Sequence, residues 1–99
     1  MDEQQRNALI NNMAENLPVL RKKLGMTQDE LAGMVGVSRS TLASIEGKKR
    51  NMTWNMFLSL LLVFTKNKET DKLLNAMEIY TDEFNEFIKN AAKQERERI

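Results

Sequence analysis

The chain has no cysteine and no histidine among its 99 residues. The first absence excludes disulfides and thiolate-bound metal, and the second removes the commonest metal ligand and general base. No metal, cofactor or catalytic role is therefore expected. Adjacent carboxylates stand at Asp29-Glu30 and Asp82-Glu83, but neighbours along a helix do not face each other, and no nucleophile-base set accompanies them. Long apolar runs are lacking as well. The run MFLSLLLVF at 56–64 is nine residues with a serine inside, far below the roughly 20 that cross a bilayer. The N-terminus is acidic, with no basic start leading into an apolar run, so it does not read as a signal peptide. A cytoplasmic protein without a membrane segment is expected.

What is present is ordinary for one small globular domain: 41% apolar and 29% charged residues, enough for a modest core. The net charge is only +1, but it is unevenly spread. Residues 21–52 carry seven basic against three acidic side chains, whereas residues 1–20 and 73–99 each come to −2. A single polyanion-binding face produces such asymmetry, as does a solvated charged surface.

The basic segment encloses the stretch 27–47, TQDELAGMVGVSRSTLASIEG, whose periodicity predicts two short helices joined at Gly36. Leu31, Ala32 and Val35 face inward from the first, and Leu42 and Ile45 from the second. Thr27 with Glu30 three residues on is a capping box, in which hydroxyl and carboxylate each satisfy an orphan backbone N–H. Ala32 is small where two helices cross, and Gly36 suits a turn with positive φ. Ser38 can cap a second helix over Arg39–Glu46, and Gly47 is expected to end it as a left-handed residue. This is a helix-turn-helix pattern.

From Gln28, the spacing Gln-x-x-x-Ala-x-x-x-Gly-x-Ser-x-x-x-Leu-x-x-Ile-Glu resembles the Cro/phage-repressor class of helix-turn-helix regulators, also called the xenobiotic-response-element family. The resemblance covers residues 17–65. It implies sequence-specific binding of double-stranded DNA, with the Arg39–Glu46 helix in the major groove and repression as the default mode. It places the base-reading positions on Arg39, Ser40 and Ser44, with Thr41 beside them, and a phosphate contact on Gln28. Arg39 is the principal expectation, because a guanidinium can bridge guanine O6 and N7 and discriminate by about 1–3 kcal/mol. Thr27 and the compact basic loop Lys48, Lys49 and Arg50 add expected phosphate contacts, since lysines act on phosphates as point charges. The resemblance also implies that Arg21 pairs with Glu46 and positions the recognition helix. The alternative is two exposed charges, worth about 0–1 kcal/mol.

Elsewhere periodicity predicts more helix. Leu9, Ile10 and Met13 mark a leading helix over 2–15, which Pro18 interrupts. Either Asn16 caps a new helix over 17–24 that buries Leu17, Leu20 and Leu24 and stops at Gly25, or one long kinked helix runs through. Thr53 is expected to cap a helix over 54–65 that is apolar nearly all round, so both its sides must be covered. Its Trp54 and phenylalanines read as core rather than as a ligand box. Residues 69–78 form an expected fifth helix burying Leu73, Leu74 and Met77. Thr81 or Asp82 caps a last helix with Tyr80, Phe84, Phe87, Ile88, Ala91 and Ala92 on its apolar side, and a charged tail at 93–99 that frays.

The expected fold is all-α: a repressor-like five-helix DNA-binding bundle with an N-terminal leading helix and a C-terminal helical extension. Its segments are 1–16, 17–66, 67–92 and the tail 93–99. Trp54, Phe57, Tyr80, Phe84, Phe87 and Ile88 are expected to pack or dimerise, with a homodimer on an inverted-repeat operator favoured over a last helix folded back within one chain. The competing function is an antitoxin or adaptor whose C-terminal apolar surface grips a protein partner.

Overall fold

The computed structural model describes the backbone of residues 1–98 and the side chains of residues 1–91. The described residues form six helices and no strand: α1 (Glu3–Lys23), α2 (Gln28–Val35), α3 (Arg39–Glu46), α4 (Trp54–Thr65), α5 (Lys68–Ala76) and α6 (Asp82–Arg98). One core runs through them from Leu9 on α1 to Phe84 on α6.

Of the two alternatives at Pro18, the structure has the long helix: α1 runs unbroken through Pro18 and across residues 16 and 17. Its start is fixed by Asp2, which forms a capping box with Gln5. Proline inside a helix costs about 3 kcal/mol. Against that stands one continuous stripe, Leu9, Met13, Leu17 and Leu20, all buried. Breaking the helix would detach Leu9 and Met13, whose burial contributes about 1.5–3 kcal/mol each. Pro18 itself lies off the stripe and is only half-buried, so its ring does not interrupt the packing.

The turn between α2 and α3 is as its residues dictate. Gly36 is left-handed at φ 78°, and its successor Val37 donates to the Ala32 carbonyl at 3.0 Å. Ser38 Oγ then accepts from the Thr41 N–H and starts α3. At the end of α3 the expectation fails. Gly47 has φ −83°, and the left-handed residue is Lys48 at φ 61°. α3 ends at Glu46 with Gly47 as its cap, and the left-handed reversal falls one residue later. Lys48 N–H donates to Ile45 at 3.1 Å and Lys49 N–H to Ser44 at 2.8 Å, which satisfies the last carbonyls in a Schellman pattern. The end of α5 repeats that pattern around another residue with a Cβ, Glu78 at φ 56°.

Thr53 caps α4, and Met56, Phe57, Leu60, Leu61 and Phe64 bury one side of it, but the expected cover on the other side is incomplete, since Leu62 stays 61% exposed. α5 begins earlier than its apolar pattern suggests, because Asn67 accepts from the N–H groups of Glu69 and Thr70. Of the three residues expected inside, Leu74 is buried while Leu73 and Met77 are partly covered. The one buried polar side chain among the described residues, Thr70, donates to the Phe64 carbonyl at 2.6 Å and so ties α5 to the end of α4.

Thr81 Oγ1 accepts from the Phe84 N–H and starts α6, whose first turns meet α4 through Phe84. Phe84 sits in an edge-to-face arrangement with Phe57 at 5.9 Å, Trp54 at 5.9 Å and Tyr80 at 5.7 Å, and Trp54 stacks on Phe57 at 4.9 Å. Phe87 joins the edge of this cluster at 6.5 Å. Five of the six residues expected to pack or dimerise thus meet within one chain, and the aromatic area they bury is what draws α6 in. Ile88 stays 46% exposed and Ala91 is exposed, so the expected inward stripe on α6 ends at Phe87. α6 takes in the stretch expected to fray, but the side chains of 92–98, and Ile99 entirely, lie outside the described residues.

Candidate nucleic-acid interface

Thr27 fixes the start of α2. Its hydroxyl accepts from the Glu30 N–H at 3.1 Å, and the Glu30 carboxylate accepts from the Thr27 N–H at 3.0 Å. The backbone bond from Thr27, reinforced by its hydroxyl, holds the Glu30 carboxyl below its usual pKa. Glu30 is therefore engaged as the cap of α2.

Arg21 and Glu46 meet across the bundle. Arg21 donates from Nε to Oε2 at 2.8 Å and from Nη2 to Oε1 at 3.1 Å, a forked geometry that a lysine cannot supply. The third guanidinium nitrogen, Nη1, donates to the Met26 carbonyl at 3.0 Å. Only 13% of the Arg21 side chain and 6% of the Glu46 side chain are exposed. The hydrogen bond to Glu46 raises the Arg21 pKa further, against an opposing effect of burial. A fourth bond completes the set: Gln28 Nε2 donates to Glu46 Oε1 at 3.2 Å. One carboxylate at the end of α3 is thus held by α1 and by the first residue of α2. Gln28 faces inward to this network, which spacing alone did not indicate.

α3 buries Leu42 and Ile45 and turns its other side outward. Arg39 and Ser40 are exposed and Ser44 is half-buried. Arg39 makes no hydrogen bond or ion pair within the described residues. The Ser40 hydroxyl lies 3.1 Å from that of Ser38. Thr41 turns to the flank, where its hydroxyl accepts from Ser38 Oγ at 2.9 Å and from Arg50 Nη1 at 3.3 Å.

The basic loop separates into three environments. Lys48 forms an ion pair with Glu15 of α1, both side chains being more than half exposed. Lys49 is exposed and unpaired among the described residues. Arg50 bends back to Thr41 and the first turn of α3. Glu15 and the Arg50–Thr41 contact are the parts of this surface that sequence reasoning missed. Glu15 lies 33 residues from Lys48, and no local pattern links them.

A family model described as a helix-turn-helix domain matches residues 14–79. No curated protein and no solved structure matches the chain. The matched span begins in the middle of α1 and takes in all of α2 to α5.

Proposed function

The chain belongs to the helix-turn-helix domain family, as a Cro/phage-repressor-like member, and from that premise we propose that it is a cytoplasmic transcriptional regulator that binds double-stranded DNA sequence-specifically. The observation that carries this reading is the pairing of an open reading edge with a locked base. Arg39, Ser40 and Ser44 face outward from α3, while Glu46 at its far end is held by Arg21 and Gln28. A helix fixed at its C-terminal end presents its first turns to base edges in the major groove. In this reading Arg39 bridges a guanine, Ser40, Thr41 and Ser44 read beside it, and Arg21 with Glu46 sets the angle of the helix. Thr27, Gln28, Lys48, Lys49 and Arg50 contact phosphates.

The form on DNA is a homodimer, with half-site centres about 10 base pairs, or a multiple of that, apart. Its support is apolar surface that the meeting of α4 and the start of α6 leaves uncovered: Leu62 is 61% exposed and Ile88 46%. Repression follows if the bound dimer occupies a promoter and excludes polymerase. The same uncovered residues favour the second reading, an antitoxin or adaptor whose C-terminal half binds a protein partner.

Selection from a random duplex pool tests the first reading directly. An inverted repeat should be enriched, and Arg39→Ala should lose preference at one base pair per half-site. Weak binding without an enriched motif would instead favour the protein-partner reading.

A further inference from the structure

The outer half of α1 lies opposite the basic loop, and between them runs a groove of about 420 Å³. Its floor is apolar, from Ile10, Ala14, Ile45 and Met52. One wall is the loop that leaves the recognition helix and supplies Lys48, Arg50 and Asn51; the other is α1, which supplies Asn7 and Asn11. We infer that this groove seats the phosphodiester backbone of the bound duplex, so that Asn7 and Asn11 form a second phosphate-contacting wall. The inference rests on the DNA-binding reading above and extends that interface to the N-terminal half of α1.

Three observations carry it. Asn7 and Asn11 are four residues apart and share one helix face, and both are exposed. Asparagine is a poor helix former because its amide competes for backbone partners. The other two asparagines of α1 have tertiary or local uses: Asn12 donates to the Glu78 carbonyl at 3.0 Å and Asn16 to the Asn12 carbonyl at 2.8 Å. Asn7 and Asn11 have no side-chain hydrogen bond among the described residues, yet they line the same groove. Their amides are therefore available donors, and side-chain amides are regular partners of phosphate oxygens.

The second observation is charge. Lys48 and Arg50 stand against a single acid in the groove, Glu15, so the lining is net positive even with the Lys48–Glu15 pair formed. The third is continuity. Arg50 reaches Thr41 in the first turn of α3, so the groove opens beside the recognition helix, where a strand lying in register with the reading edge must pass. A polyanionic strand fits a groove with amides on one wall and cations on the other. Lys48 must then exchange Glu15 for a phosphate, an exchange of one exposed ion pair for another.

Neutral and charged contacts have different salt signatures, because only a cation releases counterions from DNA. Affinity of the full chain for its selected duplex is measured across a salt series for four proteins: the unsubstituted chain, Lys49→Ala, Asn7→Ala with Asn11→Ala, and Asn7→Lys. Alanine and lysine are better helix formers than asparagine, so the variants keep α1. The double alanine variant should bind all sequences roughly five- to 150-fold more weakly, the loss expected for two amide hydrogen bonds, with an unchanged slope because no cation is removed. Asn7→Lys should steepen the slope of log K against log salt by about 0.9. If Lys49→Ala flattens the slope while Asn7→Lys leaves it untouched, α1 does not face the backbone, and this inference fails while the DNA-binding reading stands. If the unsubstituted chain binds no duplex, or Lys49→Ala leaves the slope unchanged, the reading of the basic loop fails and this inference with it.

Discussion

Removing the Glu46 carboxylate should have an effect far larger than a surface charge change. Glu46→Ala takes away both forked bonds from Arg21 and the bond from Gln28. It leaves the guanidinium, only 13% exposed, with the Met26 carbonyl as its remaining partner. Removing one member of a fully buried pair costs about 3–5 kcal/mol, chiefly because the survivor is an uncompensated charge. Slight solvent access at Arg21 scales this down, and we expect about 2–4 kcal/mol for Glu46→Ala and a similar loss for Arg21→Ala. The double variant removes both charges together, so its loss should fall short of the sum of the single losses by about 1.5–3 kcal/mol. Urea unfolding of the four proteins, with m-values checked for constancy, gives this coupling directly. The exposed Lys72–Glu69 pair, at 3.3 Å with both side chains at least 60% exposed, is the internal control, and its coupling should not exceed about 0.5 kcal/mol. Additive losses at Arg21 and Glu46, or a single loss no larger than the control, would refute the view that this network locks α3 to α1.

The remaining predictions address other parts of the chain. Glu78→Gly relieves a left-handed residue whose side chain makes no bond within the described residues; it should raise stability by about 0.5–1 kcal/mol in the same urea assay. Phe84→Ala should cost about 3–5 kcal/mol and alter the fluorescence of Trp54, whose ring it touches, because the void opens where α6 meets α4. The lowered Glu30 carboxyl makes the α2 cap pH-dependent. A depressed folded pKa contributes stability above the usual carboxylate range and loses it as the pH falls through the folded value. Glu30→Gln should therefore flatten the acid side of the stability profile, over roughly pH 3 to 5, and leave its slope near neutrality unchanged. Glu15→Gln frees Lys48 and should tighten duplex binding for all sequences; unchanged affinity would show that the pair does not compete with phosphate.

The helix-turn-helix was legible because the start of α2, the turn after it and the start of α3 are each short-range events. Thr27 and Glu30 cap each other across three residues, Gly36 supplies the positive φ, and Ser38 bonds the N–H three residues on. Where local rules compete, the sequence leaves alternatives. Pro18 permits a break or a continuous helix, and only the stripe of Leu9, Met13, Leu17 and Leu20 against the other helices decides for the continuous one. Gly47 signals a left-handed cap, yet the chain turns one residue later, at Lys48, where the backbone bonds to Ser44 and Ile45 close the end of α3.

Sequence alone determined the all-helical class, the positions of α2 and α3, the exposure of Arg39 and Ser40 out of the four residues expected outward (Thr41 and Ser44 are half-buried), and the residue types at 21 and 46 that can form a forked ion pair. These depend on periodicity, caps and side-chain chemistry, which act within a few residues. Tertiary structure alone decided that the aromatic residues close on each other within one chain, that Gln28 turns to Glu46, that Glu15 meets Lys48, and that α1 faces the basic loop across a groove. Each of these joins residues 18 or more positions apart. Such contacts form only when burial of the shared core has fixed the helices in place, so no local preference of the chain encodes them.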